Sequence, residues 1–200
     1  MDTRQCIEDI KAVHEHWESF WGDGGWASGD AAELLTASRL DWLHSLAGCL
    51  SLWTEHGGED SSPGKLILAW ANLGALLEGS LMFFLSVFKH NVDETNETVE
   101  GQRAAARLER WTLEQLRTFY EEHVWIEPER AELTDWILQV QRRRNAIHAY
   151  RDRELGTVRE FRDDLIKYLK LIVNLEGRIP YPEEQYGYPI LIERIRQRIA

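Results

Sequence analysis

Between Lys65 and Lys89 the chain reads LILAWANLGALLEGSLMFFLSVF, residues 66–88, with Glu78 as its single charge. As a helix rising 1.5 Å per residue, this run is long enough for a bilayer core of about 30 Å. Glu78 stands near its middle, with Asn72 and Ser80 close by, and a carboxylate at that depth is costly. No positively charged loop asymmetry flanks the run. A helix that is apolar all round is also what the centre of a helical protein requires. The segment is therefore expected to be a core helix wrapped by other helices, not a membrane span.

Outward from this run the pattern stays helical, and no convincing period-2 alternation appears. Thr3 to Phe20 reads as a first helix, ended by the glycines at 22–25. Asp30 and Glu33 form a capping-box pattern for a second, carrying Leu34, Leu35, Leu40, Trp42, Leu43, Leu46, Leu50 and Trp53 until the stop at 57–62. Ser62-Pro63 caps the central helix. Residues 91–102 are polar and acidic without periodicity and read as a loop. A fourth helix is expected from Ala105 to Tyr120, and a fifth from Pro128 to Tyr150. Thr157 and Glu160 offer a capping box for a sixth, running to Leu175. Ile179-Pro-Tyr-Pro182 breaks it, and Ile190–Ile199 suits a short terminal helix. Short connections favour antiparallel neighbours, so the expected fold is all-α, an up-and-down helical bundle over 26–178. An N-terminal helix with a Gly-rich connection precedes it (1–25), and a Pro/Tyr segment with a short helix follows (179–200).

Composition narrows the function. The net charge of −11 excludes wholesale coating of nucleic acid or of an anionic membrane but leaves room for a small basic cleft. Nine tryptophans suit large core anchors, and Trp also favours self-association surfaces. Cys6 and Cys49 have neither CxxC spacing nor histidines arranged around them, so no zinc site and no disulfide framework is expected. The polar N-terminus lacks the apolar run of a secretory signal. A cytoplasmic protein is expected.

The fifth helix breaks its own pattern. Leu133, Trp136, Ile137 and Val140 make an apolar stripe that predicts apolar residues at 143 or 144 and at 147; Ile147 fits, but 142–144 are Arg-Arg-Arg. A buried cation must be paired. The bland alternative is a helix that leaves the core after Val140 and exposes its last turns. Residues 142–153 hold five arginines and one aspartate, a local +4 in an acidic chain.

Within this stretch Arg143-Arg-Asn-Ala-Ile-His148-Ala-Tyr150 reads R-x4-H-x-Y. It resembles the signature of the HEPN superfamily, helical domains that include metal-independent ribonucleases of toxin–antitoxin and phage-defence systems. The trailing x-Tyr is similar to toxins paired with minimal nucleotidyltransferase antitoxins. Only 142–153 is specific within a bundle resemblance over about 66–175. Arg144 stands where family members often carry Asn, Asp or His, with Asn145 next. The resemblance implies Arg143 and His148 as catalytic residues, a homodimer with two motifs facing one cleft, RNA as substrate, and no cofactor or metal. It also makes Tyr150 the residue a nucleotidyltransferase-type antitoxin would adenylylate. A non-catalytic RNA- or nucleotide-binding or dimerisation module of the same type is the alternative.

Helix geometry leaves the arginine open. On an ideal helix Arg144 and His148 share a face, whereas Arg143 and His148 stand roughly 140° apart. A long arginine reaching round, a distorted helix or a partner chain would reconcile them. Asn145 and Asp152 share the stripe of His148 and could hold its imidazole. Arg142, Arg151 and Arg153 are expected to contact RNA. RNA supplies its own 2′-hydroxyl nucleophile, an imidazole can move the proton, and a guanidinium can stabilise the phosphorane-like charge. Glu78 is expected to pair with Arg143 or Arg144, or to assist the site. His14 and His16 are read as surface residues that bind no metal, and Trp70, Phe83 and Phe84 as core packing rather than a base-stacking platform.

Overall fold

The computed structural model describes residues 1–24, 27–54, 62–98, 108–148, 150–182 and 188–199. These form an all-α bundle: α1 (Thr3–Trp21), α2 (Asp30–Ala37), α3 (Leu40–Gly48), α4 (Leu50–Thr54), α5 (Pro63–Val87), α6 (Lys89–Thr98), α7 (Leu113–His123), α8 (Glu129–Arg144), α9 (Val158–Glu176) and α10 (Tyr188–Ile199). Central α5 begins as the sequence predicts, with Ser62 accepting from the Lys65 N–H and Pro63 in the first turn. It is long and apolar enough to cross a membrane, but α2, α3, α4, α7, α8 and α9 pack around it and bury 14 of its 25 residues. Trp70 and Phe83 lie in that core, as expected, and Phe84 is nearly enclosed.

Three polar side chains of α5 each join a different neighbour, while buried Ser86 returns its hydroxyl to the Met82 carbonyl of the same helix. Asn72 Nδ2 donates to the Leu46 carbonyl of α3 at 3.2 Å. Glu78 pairs with Arg144 of α8. Ser80 shares a 2.7 Å hydrogen bond with Tyr168 of α9, whose hydroxyl also meets His14 Nε2 of α1 at 2.7 Å. His14 is thus buried rather than on the surface, because α1 turns that side toward α9. His16 is half-buried against Phe20 and Tyr181. Among the described residues no three His, Cys, Asp or Glu side chains gather as metal ligands. Cys6 is free and buried, and burial pushes its thiol up to about 12; Cys49 is free as well. Arg198 of α10 grips buried Asp9 of α1 with two hydrogen bonds, of 2.6 and 3.0 Å, fastening the C-terminal helix to the first.

Several expected boundaries move. The second helix divides into α2, α3 and α4. Ser38 returns its hydroxyl to the Leu35 carbonyl, and Arg39 takes a left-handed φ of 53°. Its guanidinium there pairs with Asp41 and lies 4.0 Å over Trp42, whose ring is left exposed. Asp30 and Glu33 do not cap; Gly29 precedes the helix and both acids sit in its first turn, where the helix dipole favours them. The stretch expected as a loop from 91 is helical to Thr98, since Val92 is buried and Lys89 pairs with Asp93 one turn on. After a short 3-10 turn at Leu108–Arg110, a capping box of Thr112 and Gln115 starts α7 later than expected. The stop at 57–61, the end of the 91–102 loop and the start at Ala105 lie outside the described residues.

Glu176 is buried, accepting from Trp17 Nε1 at 2.5 Å and from the Tyr181 hydroxyl at 3.1 Å. Burial raises its carboxyl from 4.5 to about 7, opposed by those two donors and by the charge of Arg196. Its neutral form therefore stabilises the fold fully below the unfolded value, and that contribution is lost as pH rises from about 4.5 through about 7. Burial lowers His14 to about 3, which acts oppositely: its contribution is present above about 6.5 and is lost as pH falls toward 3. Glu176→Gln should melt above the wild type at pH 8 and lose that advantage by pH 5, His14 being common to both proteins. A calorimetric difference independent of pH would contradict this.

Candidate functional site

The arginine run stands where α8 meets α5 and α9. Helix α8 stops at Arg144, a 3-10 turn follows over Asn145–Ile147, and His148 is extended with φ −90° and ψ 91°. The fifth helix therefore does not reach Tyr150, and the ideal-helix angle between Arg143 and His148 does not apply. The tighter turn also shifts the apolar stripe: Ala146 is buried and Ile147, expected inside, is half exposed.

Arg143 is turned inward. Its Nη2 donates to Glu160 Oε1 at 2.7 Å, its Nη1 lies 3.7 Å from buried Asp164, and the guanidinium stands 4.7 Å over the Trp70 ring. The Gln139 amide, with its oxygen toward the guanidinium, accepts from both Nη atoms at 3.2 and 3.0 Å. Glu160 also closes the capping box with Thr157 as expected. The Arg143 hydrogen bond, with those from Thr157, holds its carboxyl below the usual range, whereas burial raises that of Asp164. The left-handed Gly156 lies against this guanidinium, where a Cβ would meet Nη2 at 2.6 Å. One residue earlier, the Leu155 carbonyl accepts from Trp70 Nε1 at 2.7 Å. The connection from α8 to α9 is thus pinned at its downstream end. Sequence reasoning missed Trp70, Glu160 and Asp164 in this role; the Thr157–Glu160 box was legible, but its second use by Arg143 was not.

Arg144 points to α5, pairing with Glu78 and donating to the Gly74 carbonyl at 3.4 Å. Gly74 makes room, since a Cβ there would meet Arg144 Cδ at 2.5 Å. Of the two partners expected for Glu78, the fold joins it to Arg144.

Between the turn and the pinned end lies an open cleft of about 370 Å³ lined by Asn145, His148, Tyr150, Arg151 and Arg153. Among the described residues its lining carries two guanidiniums, an imidazole, an amide and a phenol, and no carboxylate. His148, Arg151 and the fully exposed Tyr150 face water. Arg153 is half-buried, with its Nε shut from water and without a hydrogen-bond partner among the described residues. Arg142 is exposed outside the lining, and so is Asp152. Among the described residues neither Asn145 nor Asp152 hydrogen-bonds the imidazole; with no helix continuing past 147, Asp152 loses the shared face on which that expectation stood. The fold thus brings five of the expected site residues together and places Arg143, Arg144 and Glu78 in the surrounding framework. The local +4 is correspondingly reduced, because Glu160 and Glu78 meet two of the five arginines.

Compared with protein-family models, with curated proteins and with solved structures, the chain finds no match in any of the three.

Removing the guanidinium from Arg143 leaves Asp164 and Glu160 without it beside a vacated Trp70 face. Arg143→Ala should cost about 3–5 kcal/mol, as breaking a buried pair does. Arg143→Lys should recover little of it, since a point charge cannot serve Glu160, Gln139 and Trp70 at once. Arg144→Ala, at a half-exposed pair, should cost about 1–3 kcal/mol. Urea denaturation ranks the three, and a larger loss for Arg144→Ala would reverse the assignment of the inner brace.

Proposed function

We propose that the chain is a HEPN-type endoribonuclease that works without metal, a toxin or defence effector acting on cytoplasmic RNA. The observation that carries this reading is the gathering of His148, Arg151 and Arg153 around one carboxylate-free cleft in a chain of net charge −11. The R-x4-H-x-Y resemblance supplies the family. His148 takes the proton of a ribose 2′-hydroxyl as that oxygen attacks the adjacent phosphorus. The departing 5′ oxygen receives a proton from the imidazolium or from water, leaving a 2′,3′-cyclic phosphate and a 5′-hydroxyl. Arg151 and Arg153 stabilise the phosphoryl charge from the cleft, while Arg143 acts through the framework that holds the connection in place. Asn145 stands beside the imidazole in the same lining. Central α5 serves as a core helix, which the packing of its neighbours around it supports.

A homodimer facing two such clefts toward each other belongs to the same proposal. The open cleft, half-exposed Ile147 and fully exposed Tyr150 support it. The exposed Tyr150 hydroxyl is also accessible to adenylylation by a nucleotidyltransferase-type antitoxin. One observation favours the second reading, a module that binds RNA or dimerises without cleaving: the guanidiniums of Arg143 and Arg144 are engaged by Glu160 and Glu78 and do not line the cleft.

Wild-type protein in EDTA should cleave single-stranded RNA to 2′,3′-cyclic phosphate ends, and His148→Ala should lower the rate by about 10²–10⁴-fold without changing the melting temperature. Arg151→Ala and Arg153→Ala should each reduce the slope of log affinity against log salt by about 1. Binding without cleavage in every condition would select the module, and cleavage that needs Mg²⁺ and survives His148→Ala would refute the proposed chemistry.

A further inference from the structure

We infer that the cleft receives an unpaired stretch of RNA, with one base stacked on the ring of Tyr150 and the neighbouring phosphate held by Arg151 and Arg153; this rests on reading the cleft as an RNA site. Among the described residues Tyr150 is the most exposed of the large apolar side chains at 104%. A ring so placed contributes nothing to the core, yet it stands on the lining of a cleft that gathers two guanidiniums and an imidazole. Its chain neighbour Arg151 has a Cα about 3.8 Å away, so an aromatic face and a guanidinium are offered within the reach of a single nucleotide. Half-buried Arg153 adds a guanidinium to the same lining, its Nε shut from water and without a partner among the described residues. The pinning of Leu155 and Gly156 by Trp70 and Arg143 keeps this triplet close to a fixed anchor.

The physics favours a single strand. In an A-form duplex the base faces are stacked on one another and the major groove is too narrow for side chains, so a protruding ring finds no π-face there. An unpaired base offers one, and aromatic stacking beside a positive groove is the general solution for single strands. The cleft volume of about 370 Å³ lies toward the lower end of the range that holds small ligands, about 300–1,000 Å³, which suits one nucleotide rather than a helix. In the facing-cleft homodimer the second copy does not itself fill the cleft, and the strand lies between the two linings. A two-fold contact sets like against like, and two linings of guanidinium and imidazole repel unless an anion lies between them.

The test is fluorescence anisotropy with a labelled 2′-O-methyl oligoribonucleotide, which cannot be cleaved, as a single strand and in a blunt duplex. The single strand should bind at least about tenfold more tightly than the duplex. Tyr150→Ala should weaken single-strand binding about 5- to 150-fold with little effect on the duplex. Tyr150→Phe and Tyr150→Trp should bind like the wild type, because the face and not the hydroxyl is used. An exposed position makes all three variants foldable, and circular dichroism confirms it. Unchanged binding in Tyr150→Ala, or a Tyr150→Phe as weak as Tyr150→Ala, overturns the inference. So does a Tyr150→Ala protein that halves its particle mass without RNA, which would make the ring a subunit contact. If Arg151→Ala and Arg153→Ala lose affinity while Tyr150→Ala does not, the stacking fails and the RNA reading stands; wild-type protein that binds neither form overturns both.

Discussion

Polar groups on the covered faces of α5 are cut off from water and need protein partners, most of which have to come from neighbouring helices. Asn72, Glu78 and Ser80 answer that requirement on α3, α8 and α9. Hydrophobic burial holds the bundle together, but burial is non-directional. These three contacts add direction, fixing the rotation of each neighbour about its own axis. The Ser80–Tyr168–His14 cluster extends the same logic to α1, which joins the core through Trp17 and Trp21.

The arginine run is the place where this framework turns into a site. Two consecutive side chains leave α8 in different directions, Arg144 to Glu78 on α5 and Arg143 to Glu160 and Asp164 on α9. Together they fix the end of α8 against both neighbours. A buried cation is expensive unless it is surrounded by acceptors. Arg143 has two carboxylates, an amide oxygen and an indole face. That concentration of polar contacts stabilises no large apolar area; what it does is hold the start of α9 and the connection leading to it. The cationic side chains left for the cleft are then the ones beyond the helix, on residues with few internal obligations.

Much of this was legible in the chain. The apolar run from 66 to 88 indicates a core helix because its single carboxylate sits mid-way, and the arginines at 142–144 show as a break in an apolar stripe. The Ser62-Pro63 start and the Thr157–Glu160 box are local devices, complete within four residues, so they could be read without knowing the fold. The division of the second helix was not legible, because the left-handed Arg39 depends on contacts with Asp41 and Trp42 that propensity does not encode. Nor was α6, whose polar sequence becomes helical with Val92 packed into the core.

What the sequence by itself determined is the all-α class, the central place of α5 and the cluster of Arg, His and Tyr within 142–153. All three follow from residue type and spacing along one chain. Only the tertiary structure decided which arginine goes where. Periodicity locates a residue on a helix face, but the 3-10 turn at 145–147 ends that periodicity just before His148. The partners that claim Arg143 and Arg144 lie 17 and 66 residues away along the chain. The division of one basic run into an inner brace and an open cleft is therefore set by electrostatic pairing between residues far apart in the chain, with Arg143 buried and Arg144 partly so, which no local pattern contains.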